Sequence, residues 1–354
     1  MRSHVHRMQL PREIIVGSGS LDLIGSLCMD MGFTKRALII SGKRTFEVAG
    51  RRVKDILQSE GLKVDEHIIS SSAPTIDDVE SSENKIRLLK PQVVIGVGGG
   101  AKIDIAKVSS ARQNIPFISI PTTASHDGIA SPFASLKGLS KPYSVMAQSP
   151  IAVIADTKII IESPYRFTAS GCGDAIAKLT STRDWKLAHE RTNEYYAQYT
   201  ASIALMSAHH IIENSHLIRP NSEEGLRVLL EALISCGIAM GIAGSSRPCS
   251  GSEHLFSHAL DLIAPRPALH GEQCGIGTIM MAYLHGLDWN LVRNTLRRIG
   301  APVTAEEIGI EPEYIVEALV KAPTIRPERY TILSEKPLTY ERARELARET
   351  GVIS

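Results

Sequence analysis

The sequence predicts a two-domain protein in which a parallel α/β sheet domain is followed by an all-helical domain. At roughly 150 residues per domain, the 354 residues correspond to two domains. Short β-branched runs alternate with amphipathic segments in the first half, whereas Ala- and Leu-rich segments fill the second half. Hydrophobic residues make up 43% of the chain and charged residues 22%, which is the composition of an ordinary globular protein.

The first half has the pattern of parallel β/α units. The predicted strands cover residues 36–41, 62–69, 92–97, 115–120 and 151–155. Residues 46–59 and 75–89 lie between them and have helical periodicity. Continuous apolar strands separated by segments of helix length indicate a parallel sheet that is covered on both faces.

The second half has almost no strand signal from about Ile161 onward. The predicted helical segments cover residues 169–191, 194–213, 223–242, 254–262 and 275–285. Glu162-Ser163-Pro164 would start the helical domain, with Pro at an early helical position. We therefore place the domains at residues 1–162 and 163–354.

Charge, cysteine content and hydropathy exclude several classes of protein. The formal net charge of +1 argues against nucleic acid as the main partner. The five cysteines are widely spaced and include no C-x-x-C pair, so we expect a reducing cytoplasm. The N-terminus lacks the apolar core of a signal peptide. The most apolar stretch, 229–244, contains Glu231 and is too short for a bilayer span, so we expect no transmembrane segment.

A glycine-rich turn joins the strand at 92–97 to a helix. Gly98, Gly99 and Gly100 let a backbone approach an anion, and the following helix would direct its N–H groups at that anion. The dinucleotide fingerprint expects an acidic residue about 20 positions on, and residues 105–126 contain none. We favour a diphosphate-binding turn of a lineage other than that of the dinucleotide fingerprint. The alternative is a plain tight βα turn.

Small polar residues follow the next strand, at residues 119–131. Thr122, Thr123 and Ser125 could bind a ribose or phosphate, and Asp127 could hold a hydroxyl. Ligands bind at this edge of open α/β sheets. An ordinary hydrated loop is the alternative.

Three segments of the helical half place His or Asp beside glycine: 170–178, 251–258 and 269–275. His254 and His258 stand four residues apart and share a helix face, a spacing that suits two metal ligands. Spacing alone does not choose between that pair and a longer-range set, and a structural role for each histidine is the alternative.

Taken together, the motifs resemble the archaeal sn-glycerol-1-phosphate dehydrogenases. Gly-Val-Gly-Gly-Gly-Ala-Lys, Pro-Thr-Thr-Ala-Ser-His-Asp-Gly, Gly-Cys-Gly-Asp, Gly-Ser-Glu-His and Leu-His-Gly-Glu-Gln occur in the family's order, over residues 10–290. The run Ser-His-Asp-Gly-Ile-Ala-Ser-Pro and the Asp184-Trp185 pair separate this family from the wider alcohol dehydrogenase and dehydroquinate synthase superfamily. The resemblance implies a Rossmann-like, dinucleotide-binding N-terminal domain and an all-helical, metal- and substrate-binding C-terminal domain, in a dehydroquinate synthase-like fold.

The resemblance also implies an activity and a set of site residues. The reaction is reduction of dihydroxyacetone phosphate to sn-glycerol 1-phosphate by NADH or NADPH, which starts the backbone of archaeal ether phospholipids, in a cytoplasmic homo-oligomer. Zn²⁺ would be held by Asp174, His254 and His270. Asp127, Asp174 and His258 match substrate contacts, and Asp127 and His258 are the candidates for substrate positioning and a proton relay. The residues that match cofactor contacts are Gly98, Gly99, Gly100, Ala101, Lys102, Ile103, Asp104, Thr122, Thr123, Ala124, Ser125 and Ser131.

Several basic residues are candidates for binding the 2′-phosphate of NADPH or the phosphate group of the substrate. Lys43 and Arg44 follow the first predicted strand with no acidic residue beside them, so we expect NADPH to be accepted. Solvated loop charges are the alternative. The candidates for the substrate phosphate are Lys137, Lys141, Lys178 and Arg183. Lys178 could instead form an i,i+4 ion pair with Asp174.

Three other functions compete with this interpretation. A glycerol or polyol dehydrogenase of the same fold would not prefer a phosphorylated substrate. A dehydroquinate synthase would carry Glu in place of Asp174. A binding or scaffold protein would not need so many matched ligand positions.

Overall fold

A computed structural model describes residue 6, residues 8–136 and residues 143–354. The chain divides into two compact units, Met1–Pro164 and Tyr165–Ser354. Lys137 and Lys141, two of the candidates for the substrate phosphate, lie outside the described residues.

The first unit contains a parallel sheet of six strands in the order β1-β8-β5-β4-β2-β3. A separate antiparallel pair is formed by β6 and β7. The strands are β1 Glu13–Gly17, β2 Arg36–Gly42, β3 Lys63–Ile69, β4 Val93–Gly98, β5 Phe117–Pro121, β6 Phe133–Leu136, β7 Tyr143–Met146 and β8 Ala152–Asp156. All five predicted strands are confirmed, with ends shifted by one or two residues. Three strands were missed: β1, which pairs with β8 at the sheet edge, and the short β6–β7 pair.

Helices cover both faces of this sheet. They are α1 Ile24–Asp30, α2 Lys43–Thr45, α3 Arg51–Ser59, α4 Ile76–Leu89, α5 Gly100–Arg112 and α6 Thr157–Ile160. Ile39 packs in the core on one face and its neighbours Leu38 and Ile40 pack on the other. The strands are continuously apolar because successive side chains point to opposite faces and both faces are buried. The helix predicted from Phe46 begins as a π-helical turn, Phe46–Gly50, that leads into α3.

The second unit is helical throughout. Its helices are α7 Tyr165–Ile176, α8 Lys178–Thr192, α9 Gln198–Glu213, α10 Glu223–Ala243, α11 Ser252–Ile263, α12 His270–Leu284, α13 Trp289–Ile299, α14 Pro312–Ile325, α15 Ile332–Glu335 and α16 Tyr340–Glu349. The prediction of one helical segment over 169–191 is wrong, because the chain turns at Ala177, where ψ of −20° is closer to 3₁₀ than to α geometry.

The start of α12 also differs from the prediction at Gly275. The helix begins five residues earlier because Glu272 at its third position accepts a hydrogen bond from the backbone N–H of Leu269 at 3.0 Å. His270 therefore opens a helix instead of lying in a loop.

Among the described residues, α10 alone is long and apolar enough to cross a membrane, by length and composition. Within its most apolar window of 18 residues, 72% are buried inside the unit. A helix in the core of a globular protein is usually buried to this extent.

Candidate functional site

Close backbone packing explains the glycines of the turn between β4 and α5. A Cβ on Gly98 would lie 2.8 Å from the Cβ of Lys102, and one on Gly100 would overlap the imidazole of His126. The first helical hydrogen bond runs from the N–H of Lys102 to the carbonyl of Gly99, at 2.9 Å. The N–H groups of Gly100 and Ala101 therefore lie at the positive end of α5, where an anion binds favourably.

The next three matched residues direct their side chains into the protein. The ammonium of Lys102 donates to the carbonyl of Ser71. Ile103 is fully buried in the core. The carboxylate of Asp104 accepts from the N–H of Ser135 at 3.0 Å and pairs with the buried ammonium of Lys107 at 3.2 Å. Only the backbone of Ile103 and Asp104 is left to contribute to a cofactor site.

The polar segment after β5 adjoins this turn. The N–H of Thr122 donates to the carbonyl of Gly98 at 3.0 Å, and a Cβ on Gly99 would lie 3.2 Å from Oγ1 of Thr123. Lys107 fixes the segment further along, because its ammonium donates to the carbonyl of Gly128 at 2.7 Å. Thr122 and Thr123 are thus brought beside the glycines.

The other matched residues of this segment differ in access. Ala124 is fully buried. Ser131 is 1% exposed and its hydroxyl bonds the backbone of Phe133. Ser125 and Asp127 are half-buried, and Asp127 begins a short 3₁₀ turn, Asp127–Ile129.

In the helical unit, glycines bring two helices into backbone contact. A Cβ on Gly173 of α7 would lie 2.2 Å from the carbonyl oxygen of Gly271 of α12. A Cβ on Gly271 would lie 1.9 Å from the carbonyl oxygen of Ser170. Asp174 and His270 adjoin these glycines in the chain, so the crossing places both at one point.

Asp184 fixes the start of α11. One carboxylate oxygen accepts from both the N–H and the hydroxyl of Ser252, each at 2.6 Å. The other accepts from the N–H of Ile332 at 2.6 Å and contacts Nε2 of His285 at 3.0 Å. Asp184 is fully buried and joins segments up to 148 residues apart, and α11 carries His254 and His258.

The structure brings the three predicted metal ligands together. Nε2 of His254 lies 3.5 Å from Oδ1 of Asp174, and the ring centroids of His254 and His270 are 5.0 Å apart. Nδ1 of His254 donates to Glu253 at 2.8 Å, and this bond orients the ring. Oδ1 of Asp174 also receives the ammonium of Lys178 at 2.6 Å.

A further donor, Cys274, was missed by the sequence analysis, and it stands in place of Asp174 in the group whose donor atoms all lie within 4.8 Å of one another. One donor atom each from His254, His270 and Cys274 lies within 4.8 Å of the others, and Sγ of Cys274 is 3.6 Å from Nε2 of His270. The two residues share a helix face at i,i+4, a signal that the sequence carries once α12 is known to start at His270.

The metal-free form holds a proton where a cation would bind. Burial opposes a charge on His254, but Cys274 and the hydrogen bonds to Asp174 and Glu253 outweigh it and raise the pKa of the ring well above its usual value, so His254 must lose a proton to coordinate. Burial opposes a charge on Asp174, but the ammonium of Lys178 and the hydrogen bond from His254 outweigh it and hold the pKa of the carboxyl well below its usual range.

Burial and the adjacent charge of His254 lower the pKa of His270 to about 3. A carboxylate, neutral imidazole rings and a thiolate are the donors that Zn²⁺ prefers, and metal binding releases the protons that His254 and Cys274 hold in the metal-free form. The residues present therefore fit that ion.

His258 lies on the same face of α11. Its ring stacks on His270 with centroids 6.0 Å apart, and it is 6% exposed. Its Nδ1 is buried without a hydrogen-bond partner among the described residues, at 4.0 Å from Asp261. Burial lowers the pKa of His258, so the ring is neutral near pH 7.

The basic residues considered for phosphate binding differ in burial. Lys178 is fully buried and pairs with Asp174, which is the i,i+4 ion pair considered as the alternative. Arg183, Lys43 and Arg44 are exposed.

Comparison with known proteins first defines a class. Residues 15–164 match the sequence profile of the family described as iron-containing alcohol dehydrogenase. The solved structure of glycerol dehydrogenase from Schizosaccharomyces pombe is 20% identical, with a TM-score of 0.80, over 98% of this chain and 91% of that one. At this identity the likeness shows the fold alone, an α/β unit followed by a helical unit.

Full-length relatives narrow the class. A protein of Thermococcus kodakarensis, named glycerol-1-phosphate dehydrogenase with NAD(P)⁺ as coenzyme, is 53% identical over 100% of both chains. One of the same name from Methanosarcina acetivorans is 51% identical over 98% of this chain and 97% of its own. The chain belongs to the glycerol-1-phosphate dehydrogenase family of oxidoreductases. The resemblance seen in the motifs is confirmed.

Proposed function

We propose that the chain reduces dihydroxyacetone phosphate to sn-glycerol 1-phosphate with NADH or NADPH. The observation that carries the proposal is 53% identity over the full length to a relative of that name, in a chain that clusters His254 and His270 beside Asp174. The proposal includes a cytoplasmic homo-oligomer that supplies the backbone of archaeal ether phospholipids. It assigns dinucleotide binding to residues 1–162 and metal and substrate binding to residues 163–354.

Asp174, His254 and His270 would hold Zn²⁺ in this proposal. With Cys274 beside the ion but not coordinating it, these three donors would leave one position open to substrate, as catalytic zinc sites require. When bound, the ion would supply a Lewis acid for the ketone oxygen of the substrate. Glu253 supports this role of His254, because its carboxylate holds Nδ1 and leaves Nε2 on the side of Asp174.

His258 and Asp127 would orient the substrate and serve proton transfer. The alkoxide formed from a ketone must gain a proton, so a group that holds one near the reacting carbon is needed. The buried Nδ1 of His258, which has no hydrogen-bond partner among the described residues, could bond a substrate hydroxyl. Asp174 would share the substrate contact as well as the metal.

The glycine turn and the segment after β5 would bind the nicotinamide coenzyme, which supplies the hydride. The N–H groups of Gly100 and Ala101 are directed to where a diphosphate would lie, and Thr122 and Thr123 stand beside them. Gly98, Gly99, Lys102, Ile103, Asp104, Ala124, Ser125 and Ser131 complete the proposed cofactor set. Lys43 and Arg44 at the end of β2 would meet the 2′-phosphate of NADPH.

A coupled assay tests the function. Oxidation of NADH and NADPH is followed on adding dihydroxyacetone phosphate or dihydroxyacetone, and the product is analysed for chirality. We expect turnover with the phosphorylated ketone, a much lower rate with the unphosphorylated one, and only the sn-1 product. Equal rates with both ketones would indicate a polyol dehydrogenase, and an sn-3 product would also contradict the proposal.

A further inference from the structure

Arg329 is a buried cation outside the group of metal donors. It lies after α14, and 8% of its surface is exposed. Among the residues that the structure describes, no carboxylate oxygen lies within ion-pair distance of its guanidinium. Glu194 and Glu328 act on it only from beyond that distance. A buried charge without a directly paired carboxylate is costly, so the position favours a bound anion.

Neutral oxygens hold this guanidinium in place. Nη1 donates to the carbonyl of Ser250 at 2.8 Å and to its hydroxyl at 2.9 Å. Nη2 donates to the hydroxyl of Ser246 at 2.8 Å. Three bonds leave part of the five N–H donors of the group unused. Burial and the nearby charges of Arg326 and Arg247 lower the pKa of Arg329 to about 9, which still leaves it charged near pH 7.

A second buried guanidinium adds to the positive charge. Arg247 is 3% exposed and its Nε donates to Glu194 at 2.6 Å. Its Nη1 is buried without a hydrogen-bond partner among the described residues. Two guanidinium groups and one carboxylate leave a net charge of +1 around the Ser246–Ser250 stretch of chain.

This positive charge lies next to the proposed metal donors along the chain. Ser250 stands two residues before α11, and His254 follows four residues later. At 1.5 Å per residue, His254 is about 3 Å along the helix axis from Ser252.

We propose that Arg329, with Arg247 behind it, binds the phosphate group of the substrate, a dianionic phosphate monoester. The inference rests on the proposed function and names the determinant that separates a phosphorylated ketone from an unphosphorylated one. Guanidinium groups match phosphate oxygens in geometry and stay charged. The hydroxyls of Ser246 and Ser250 hold the fork of Arg329 in position.

The test compares Arg329→Gln and Arg329→Lys with Arg326→Gln, a neighbouring arginine that pairs with Glu328 at 3.0 Å. For each variant, kcat and KM are measured with dihydroxyacetone phosphate and with dihydroxyacetone, together with zinc content, Tm and the Kd of inorganic phosphate. Removing one partner of a buried charged pair typically costs enough to lower kcat/KM by about 100-fold. For Arg329→Gln we expect kcat/KM with the phosphorylated ketone to fall by about this factor, mainly through a higher KM. The variant should also lose phosphate binding and keep its rate with dihydroxyacetone. Arg326→Gln should change neither.

Other outcomes overturn the inference. A parallel loss with both ketones, at normal zinc content and Tm, would mean that Arg329 only anchors the loop before α11. If Arg329→Gln loses zinc, Arg329→Lys decides: a loss with the phosphorylated ketone alone supports the inference, and a parallel loss contradicts it. A wild-type protein that binds inorganic phosphate through Arg329 but does not reduce dihydroxyacetone phosphate would contradict the proposed function and leave the anion site standing.

Discussion

Each donor at the proposed metal site is already held by a neighbour. The ring of His254 is bonded by Glu253 on one nitrogen and faces Asp174 on the other, so it needs no reorientation to accept a cation. His270 is half-buried, and its pKa of about 3 keeps the ring in the neutral form, which is the form that coordinates. Metal binding at a preorganised site of this kind should depend strongly on each of these residues.

His254→Ala or His270→Ala should therefore abolish zinc content and turnover together. Zinc is measured by atomic emission after dialysis, and activity by coenzyme oxidation. His209→Ala is the matched control, because His209 is exposed on α9. Full activity in a variant that has lost all its metal would contradict the zinc site.

Glu253→Gln tests the orientation of His254 without removing a ligand. The amide keeps the size of the side chain but loses the charge that holds Nδ1–H, and such changes lower metal affinity by about 10- to 100-fold. Competition with a chelator measures that affinity. Glu190→Gln, at an exposed position of α8, should leave it unchanged. Unaltered affinity in Glu253→Gln would mean that the hydrogen bond has no part in metal binding.

Lys43→Ala should weaken NADPH use selectively. An exposed ion pair is worth up to about 1 kcal/mol, so kcat/KM with NADPH should fall by about fivefold while kcat/KM with NADH stays constant. Lys35→Ala, another exposed lysine of this unit, is the control. An equal fall with both coenzymes would mean that Lys43 does not meet the 2′-phosphate.

At the scale of elements, the crossing of α7 and α12 explains why Asp174 and His270 meet. Gly271→Ala would place a methyl group 1.9 Å from the carbonyl oxygen of Ser170, so the helices must separate. We expect a loss of about 1–3 kcal/mol in the free energy of unfolding, and weaker zinc binding.

Gly275→Ala is the matched variant for this crossing. It lies on the same helix, but its Cβ would stay 3.4 Å from the nearest atoms, Gly173 and Leu296. Its effect on stability and zinc affinity should be small, because the gain in helix propensity offsets the contact. Equal losses in both variants, by denaturant titration, would show that the close approach at Gly271 is not the cause.

At the scale of the whole molecule, the sequence predicted the elements that a local pattern of residues determines. Strands buried on both faces are continuously apolar, so β2 and β4 were found, whereas the edge strand β1 has no fully buried residue and was missed. The start of α12 was missed because it depends on a polar cap, Glu272. Arg329 belongs to no sequence motif. Its environment is formed by serines 79 and 83 residues away, which only the tertiary fold brings near, so its role could not be predicted from the sequence.

Metal binding should stabilise the whole chain, because the proposed site joins α7, α11 and α12, helices that are separate in sequence. A ligand that binds only the folded state at 100 times its Kd contributes about 2.7 kcal/mol, or roughly 5–10 °C in Tm for a unit of this size. Removal of metal by a chelator should lower Tm by that amount and added Zn²⁺ should restore it, as calorimetry would measure. His254→Ala supplies the control: its Tm should not respond to zinc. A response as large as that of the wild type would mean that the stabilising ion binds elsewhere in the chain.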